Sequence, residues 1–211
     1  IRVNIDPEGQ TEMTETQKSI RASLQYLAAA DDGGAVYHAS QAGGAAADHD
    51  GSYDMREVEI RDGRGETFDL DSAGFMLTDH ASSVTDWHDE AVLSQIYEAE
   101  AKALICRITG ARRIEVFDHT RRAASDILRR NQVMREPSSV IHNDYTPWSA
   151  ERRLRDILPG EAEMLLSRRF AIVNIWRSIA GRVETNPLAF CNSRTLADGD
   201  LVEVTRQAKD R

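Results

Sequence analysis

Ser138-Ser139-Val140-Ile141-His142-Asn143-Asp144-Tyr145-Thr146 is an apolar, β-branched run that ends in a His-x-Asp pair. Such a run favours an extended strand. On a strand, residues i and i+2 point to the same face. The imidazole of His142 and the carboxylate of Asp144 are therefore expected to project side by side. A neutral imidazole and a carboxylate, joined by one further His, make the 2-His-1-carboxylate triad of non-haem Fe(II) oxygenases. A motif this short also arises by chance, and the competing reading is a half-buried His paired with a surface Asp.

Composition narrows the classes. Hydrophobic residues make up 41% of the 211, enough to build a core. A formal net charge of −9 argues against nucleic acid and anionic membranes as partners. No stretch approaches the ~20 apolar residues of a membrane span, and no signal-peptide pattern opens the chain. Two cysteines, Cys106 and Cys191, are too few for a disulfide framework. They are expected as buried thiols in a soluble, cytoplasmic protein. No G-x-G-x-x-G, G-x-x-x-x-G-K-[ST] or G-x-S-x-G string is present, which disfavours a dinucleotide or P-loop domain and an α/β-hydrolase.

Periodicity predicts a helix from Thr14 to Leu27 and a Gly/Ala/Asp-rich mobile loop over residues 38–54. Val58 to Arg61 is predicted as a strand, with Thr67 to Leu70 as its hairpin partner across Asp62-Gly63. A short strand follows at Phe75 to Leu77. Asp89 to Thr109 has the clearest helical spacing, closed by Gly110. Arg113 to Phe117 is predicted as a strand and Ala123 to Arg130 as a helix. Thr146-Pro147 reads as an N-cap with Pro at the first helical position, opening a helix to about Leu158. Phe170 to Trp176, Leu188 to Cys191 and Leu201 to Val204 are predicted strands. Helices first and strands last fit a mixed chain with a mainly β core, better than alternating βαβ units.

Several strings then match a known family together and in order: Ser23-Leu24-Gln25-Tyr26-Leu27; Arg61-Asp62-Gly63-Arg64 with Gly74-Phe75; Tyr97-Glu98-Ala99-Glu100; Thr109-Gly110-Ala111 through Val116-Phe117-Asp118-His119-Thr120-Arg121; His142-Asn143-Asp144-Tyr145-Thr146; and Asn174-Ile175-Trp176-Arg177 with Asn186-Pro187-Leu188-Ala189. The chain resembles the fungal and bacterial hydroxylase/desaturases that include gibberellin desaturase-like and cephem methoxylase-like proteins. The resemblance implies a double-stranded β-helix, or jelly roll, decorated by helices. It implies one oxygenase-like domain over residues 1–211, helix-rich at first and with its β core from about residue 113. It implies Fe(II) and 2-oxoglutarate as cofactors, His142 and Asp144 as metal ligands, and O2 with a small molecule of secondary metabolism as substrates. Hydroxylation, desaturation or cyclisation would be the outcome. The family's distal His and keto-acid Arg lie further along, yet no His follows His142, and Gln207-Ala208-Lys209-Asp210-Arg211 reads as a polar loop. The jelly roll is accordingly expected to be incomplete at its C-terminus, with the third ligand beyond Arg211. A non-catalytic jelly-roll binding protein is the alternative.

Other residues carry weaker expectations. Arg177 ends an apolar strand and needs an anion, either a substrate or keto-acid carboxylate or an acidic side chain. Asn174 and Trp176 alternate along the same strand, so both are expected on one side, toward the site or simply into the core; with Arg177 they are the candidate cofactor-binding residues. His119 is the best substitute for the third ligand within the chain, against a hydrogen-bonded structural role. His88 and Glu90 sit at a helix start, where acidic residues suit the dipole. His38, His49 and His80 are expected to be solvated, as is the helix face bearing Arg152, Arg153 and Arg155.

Overall fold

The protein's structure, a computed structural model, describes the main chain of residues 2–6 and residues 19–28, 35–44 and 46–207 in full. Its strands are β1 (Arg2–Asp6), β2 (Ser19–Leu27), β3 (Val36–His38), β4 (Asp48–Asp50), β5 (Tyr53–Arg61), β6 (Phe75–Asp79), β7 (Asn174–Arg177) and β8 (Thr205–Gln207). Its helices are α1 (Glu90–Val92), α2 (Glu98–Thr109), α3 (Asp126–Asn131), α4 (Pro147–Ile157) and α5 (Ala162–Leu166). The chain divides into two compact units. The first comprises the described residues of Ile1–Met13, Gly63–His119 and Ala171–Arg194; the second comprises those of Thr14–Asp62, Thr120–Phe170 and Thr195–Arg211.

In the first unit, β1 runs parallel to β6 on one side and β7 on the other. A long helical segment packs on this sheet. Asp89 caps it by accepting from the Ala91 and Val92 amides. A π-helical turn, Leu93–Tyr97, joins α1 to α2. Gly110 closes α2 with φ of 69°, a left-handed conformation that glycine adopts without a Cβ penalty. Ala101, Leu104, Ile105 and Ile108 recur at helical spacing, and Leu104 (2% exposed) and Ile105 (7%) form the core. Met76 of β6 and Val173 and Ile175 beside and within β7 pack against them.

The second unit holds two sheets. β2 and β5 pair antiparallel, with Ile20, Ala22 and Leu24 opposite Ile60, Val58 and Arg56. β3 lies between β4, antiparallel, and β8, parallel. Thr146 caps α4 in a reciprocal box with Ser149, and Pro147 occupies the first turn, where its missing N–H costs nothing.

Several expectations are corrected. Residues 19–27 form a strand, because Ile20, Ala22, Leu24 and Tyr26 repeat every second residue and meet β5; Thr14 to Lys18 of the expected helix lie outside the described residues. β2, not Thr67 to Leu70, is the partner of β5. The expected loop at 38–54 contains the end of β3, all of β4 and the start of β5. Arg113 to Phe117 and Leu188 to Cys191 pair with no strand among the described residues, and the last described strand is Thr205–Gln207 rather than Leu201 to Val204. Six of the eight described strands precede Arg113, so the β structure is not confined to the last third. Both cysteines are exposed rather than buried.

Three substitutions test this packing and capping by chemical denaturation. Leu104→Ala should cost about 2–5 kcal/mol through the cavity it opens, whereas Leu201→Ala, at a side chain 65% exposed, should stay within about 0.5 kcal/mol of the parent. Thr146→Ala, which removes the α4 cap, should cost about 1 kcal/mol.

Candidate metal centre

His142 and Asp144 belong to the second unit. Their segment is not a regular strand, contrary to expectation; it touches β2 through a single parallel bridge between Gln25 and Val140. The Ile141 N–H donates to the Gln25 carbonyl at 3.1 Å. Just beyond Asp144 and Tyr145, the chain turns into the α4 cap at Thr146. Between these anchors the two side chains converge: His142 Nε2 lies 3.3 Å from Asp144 Oδ1. Each is a little over a third exposed.

The other ring nitrogen defines the chemistry of this pair. His142 Nδ1 lies 2.8 Å from the Val140 carbonyl oxygen. A carbonyl only accepts, so Nδ1 carries the proton. In the neutral ring Nε2 then presents a lone pair toward a carboxylate oxygen that also presents lone pairs. Such a face-off is repulsive unless a cation sits between the two or the ring takes up a second proton. Two donors bound to one ion at about 2.1 Å and at right angles stand about 3.0 Å apart. The spacing, with the proton assigned to Nδ1, matches that of two donors sharing a divalent metal. No cluster of three or more His, Cys, Asp or Glu side chains suited to a metal occurs among the described residues.

The other candidates lie in the first unit. His119 Nε2 stands 3.4 Å from Glu98 Oε1, beside a cavity of about 380 Å³ lined by Glu90, Glu98 and residues 116–119. This contact is of the hydrogen-bonded kind expected as the alternative to a ligand role. Asn174, Trp176 and Arg177 all lie on β7, but strand alternation separates Arg177 from the other two and puts it on the face of Ile175. Its guanidinium stacks over the Trp87 ring, 4.4 Å from the centroid. Nε and Nη1 of Arg177 are buried without a hydrogen-bond partner. Burial pushes the Tyr97 phenol up, opposed by the charge of Arg177 and by a hydrogen bond from it.

His80 belongs to the same neighbourhood and is not the solvated residue expected. Its Nδ1 is buried without a partner. Burial lowers its basicity, the charges of Arg177 and Arg107 lower it further, and Glu100 opposes them. Glu100 itself accepts from Ser82 Oγ at 2.5 Å and from the Ser83 amide at 2.7 Å. Sequence reasoning passed over Trp87 and took His80 as solvated because neither sits in a periodic pattern, and it took Tyr97 only as part of a helix and of a family-matching string. His38, also expected to be solvated, is in β3 and pairs with Asp50 at 3.1 Å.

Comparisons with known proteins add to this geometry. Residues 24–211 match a protein family described as "YDMC: Oxidoreductase/YMDC permease-like domain", and the chain belongs to that family. Among the described residues no helix is long and apolar enough to cross a membrane. The chain is 32% identical over 167 residues to "Hydroxylase/desaturase CTB9" of Cercospora beticola, covering 71% of this chain and 50% of that protein. It is 30% identical over 153 residues to "Fe(II)/2-oxoglutarate-dependent dioxygenase nvfI" of Aspergillus novofumigatus, covering 69% of this chain and 54% of that one. A solved structure of the "iron and alpha-ketoglutarate-dependent endoperoxidase NvfI" superposes with a TM-score of 0.58 at 22% identity, over 71% of this chain and 56% of that one. The two share a fold across that span. The chain spans about half the length of the curated relatives it matches.

The shifted basicity of His80 has a measurable consequence. Its folded-state pKa is lowered, so the unfolded chain binds more protons as pH falls through the ordinary imidazole range near 6.5. The stability associated with neutral His80 should be present above that range and lost on acidification through it. Denaturation as a function of pH should show this loss, and the slope should flatten in His80→Gln.

Proposed function

We propose that this chain contributes the iron-binding His and Asp of an Fe(II)/2-oxoglutarate-dependent oxygenase. The enzyme hydroxylates, desaturates or cyclises a small molecule of secondary metabolism, in a fold of the jelly-roll type. The observation that carries the reading is the convergence of His142 Nε2 and Asp144 Oδ1 at 3.3 Å, with Nδ1 already committed to a main-chain acceptor. The relatives named as hydroxylase/desaturase and as Fe(II)/2-oxoglutarate-dependent dioxygenase support it. When bound, Fe(II) with 2-oxoglutarate and O2 supplies the oxidant for an unactivated C–H bond, with succinate and CO2 formed from the keto acid. His142 and Asp144 would hold the metal through the imidazole Nε2 and a carboxylate oxygen.

In this reading Arg177 anchors a carboxylate, of the keto acid or of the substrate. Two buried donors without acceptors leave an unmet electrostatic demand that a carboxylate satisfies. Trp87 fixes the plane of the guanidinium from one side. Asn174 and Trp176 lie on the opposite face of β7 from Arg177, so a carboxylate held by Arg177 would not meet them.

The test uses the full chain loaded anaerobically with Fe(II). His142→Ala and Asp144→Ala should each abolish metal binding by calorimetry, and His88→Ala should leave it intact. Addition of 2-oxoglutarate should produce a weak visible charge-transfer band, and O2 with a suitable substrate should release succinate. Arg177→Ala should raise the apparent KM for 2-oxoglutarate or substrate by more than it shifts the denaturation midpoint. Full metal binding by both ligand variants would remove the reading. Normal metal binding without the band or succinate would leave a metal-binding protein that is not an oxygenase of this kind.

A further inference from the structure

We propose that Ser138 is a positioning residue for the metal-binding imidazole, with its hydroxyl holding the His142 ring in the plane and tautomer that present Nε2 to the metal. The inference rests on the reading of His142 as a ligand. Ser138 Oγ lies 3.3 Å from His142 Nδ1 and 3.3 Å from the Val140 carbonyl oxygen. With the 2.8 Å contact between Nδ1 and that carbonyl, the three atoms close a triangle.

Only one assignment of protons makes every side of the triangle favourable. The Val140 carbonyl has two lone pairs and no proton, so it accepts from both the ring N–H and the hydroxyl. The hydroxyl turns its own lone pair toward the ring N–H. If the proton moved to Nε2, a bare Nδ1 would face the carbonyl oxygen at 2.8 Å, lone pair against lone pair. The arrangement thus favours the form in which Nε2 keeps its lone pair for a metal.

Packing covers only part of the ring. The His142 side chain is 39% exposed, and Ser138 and Ile141 are themselves exposed. A single acceptor would let the ring swing about the axis of one hydrogen bond. A second oxygen to one side of the first restrains that swing, and hydrogen bonds to the far nitrogen of a ligating His are a recurrent means of orienting it. Because Ser138 is exposed, its replacement by Ala removes the hydroxyl without opening a core cavity.

Co(II) serves as an air-stable probe of the metal site in the full chain, with binding followed by calorimetry. Ser138→Ala should weaken Co(II) binding by about tenfold or more, and Ser138→Thr, which keeps the hydroxyl, should recover most of the loss. In metal-free protein labelled with 15N at histidine, two-bond 1H–15N spectra at mildly alkaline pH report the tautomer directly. His142 should be mainly Nδ1–H in the parent and in Ser138→Thr, and more evenly divided in Ser138→Ala. Parent-like affinity and tautomer ratio in Ser138→Ala would overturn the proposal while leaving His142 a ligand. So would an affinity loss that Ser138→Thr fails to recover. Co(II) binding that survives His142→Ala would instead overturn the ligand reading on which the proposal rests.

Discussion

The hydrogen bond from the Ile141 amide to the Gln25 carbonyl is the constraint around which the candidate centre is built. β2 already commits one edge to β5, over nine residue pairs from Ser19↔Arg61 to Leu27↔Tyr53. Its other edge offers the main-chain groups that receive Val140 and Ile141. A single bridge is a weak contact taken alone, but it fixes where the chain leaves the sheet. His142 is the first residue past that point, and Asp144 the third. Their convergence follows from a defined point of departure and a defined arrival at the Thr146 cap, rather than from the pleat of a strand.

The apolar stripe of α2 plays the corresponding part in the first unit. Leu104 and Ile105 collect Met76, Val173 and Ile175 around one helix face, which sets the position of β7 and so of Arg177. Fully burying side chains of this size contributes about 1.5–3 kcal/mol each, more than a solvent-exposed ion pair such as Arg155 with Glu163. Arg177 therefore has its place because of its neighbours, and its own unpartnered donors are carried by their packing.

How much of this is legible in the sequence depends on whether the signal is local. Asp89 and Gly110 mark the ends of the long helical segment by cap chemistry, and Thr146-Pro147 marks the start of α4; all three agree with the structure. The spacing of His142 and Asp144 predicts that their side chains converge, which they do, but for a partly mistaken reason, since the segment has one bridge and no strand. Ser19 to Leu27 is misleading because Leu24 and Leu27 also satisfy a helical spacing, and only the pairing with β5, distant in sequence, decides between the two periods. His80, Trp87 and Ser138 carry no signal of their own. Their significance comes from proximity created by folding, which a pattern along one chain does not encode.

The reciprocal cap between Thr146 and Ser149 begins two residues beyond Asp144. With the bridge at Val140, it leaves only residues 141–145 between two fixed points. Such a short tether has few alternative shapes available to it before an ion arrives. Little ordering entropy would then remain to be lost if the proposed ion is captured, and its affinity would depend more on dehydrating the ion than on organising the loop that receives it.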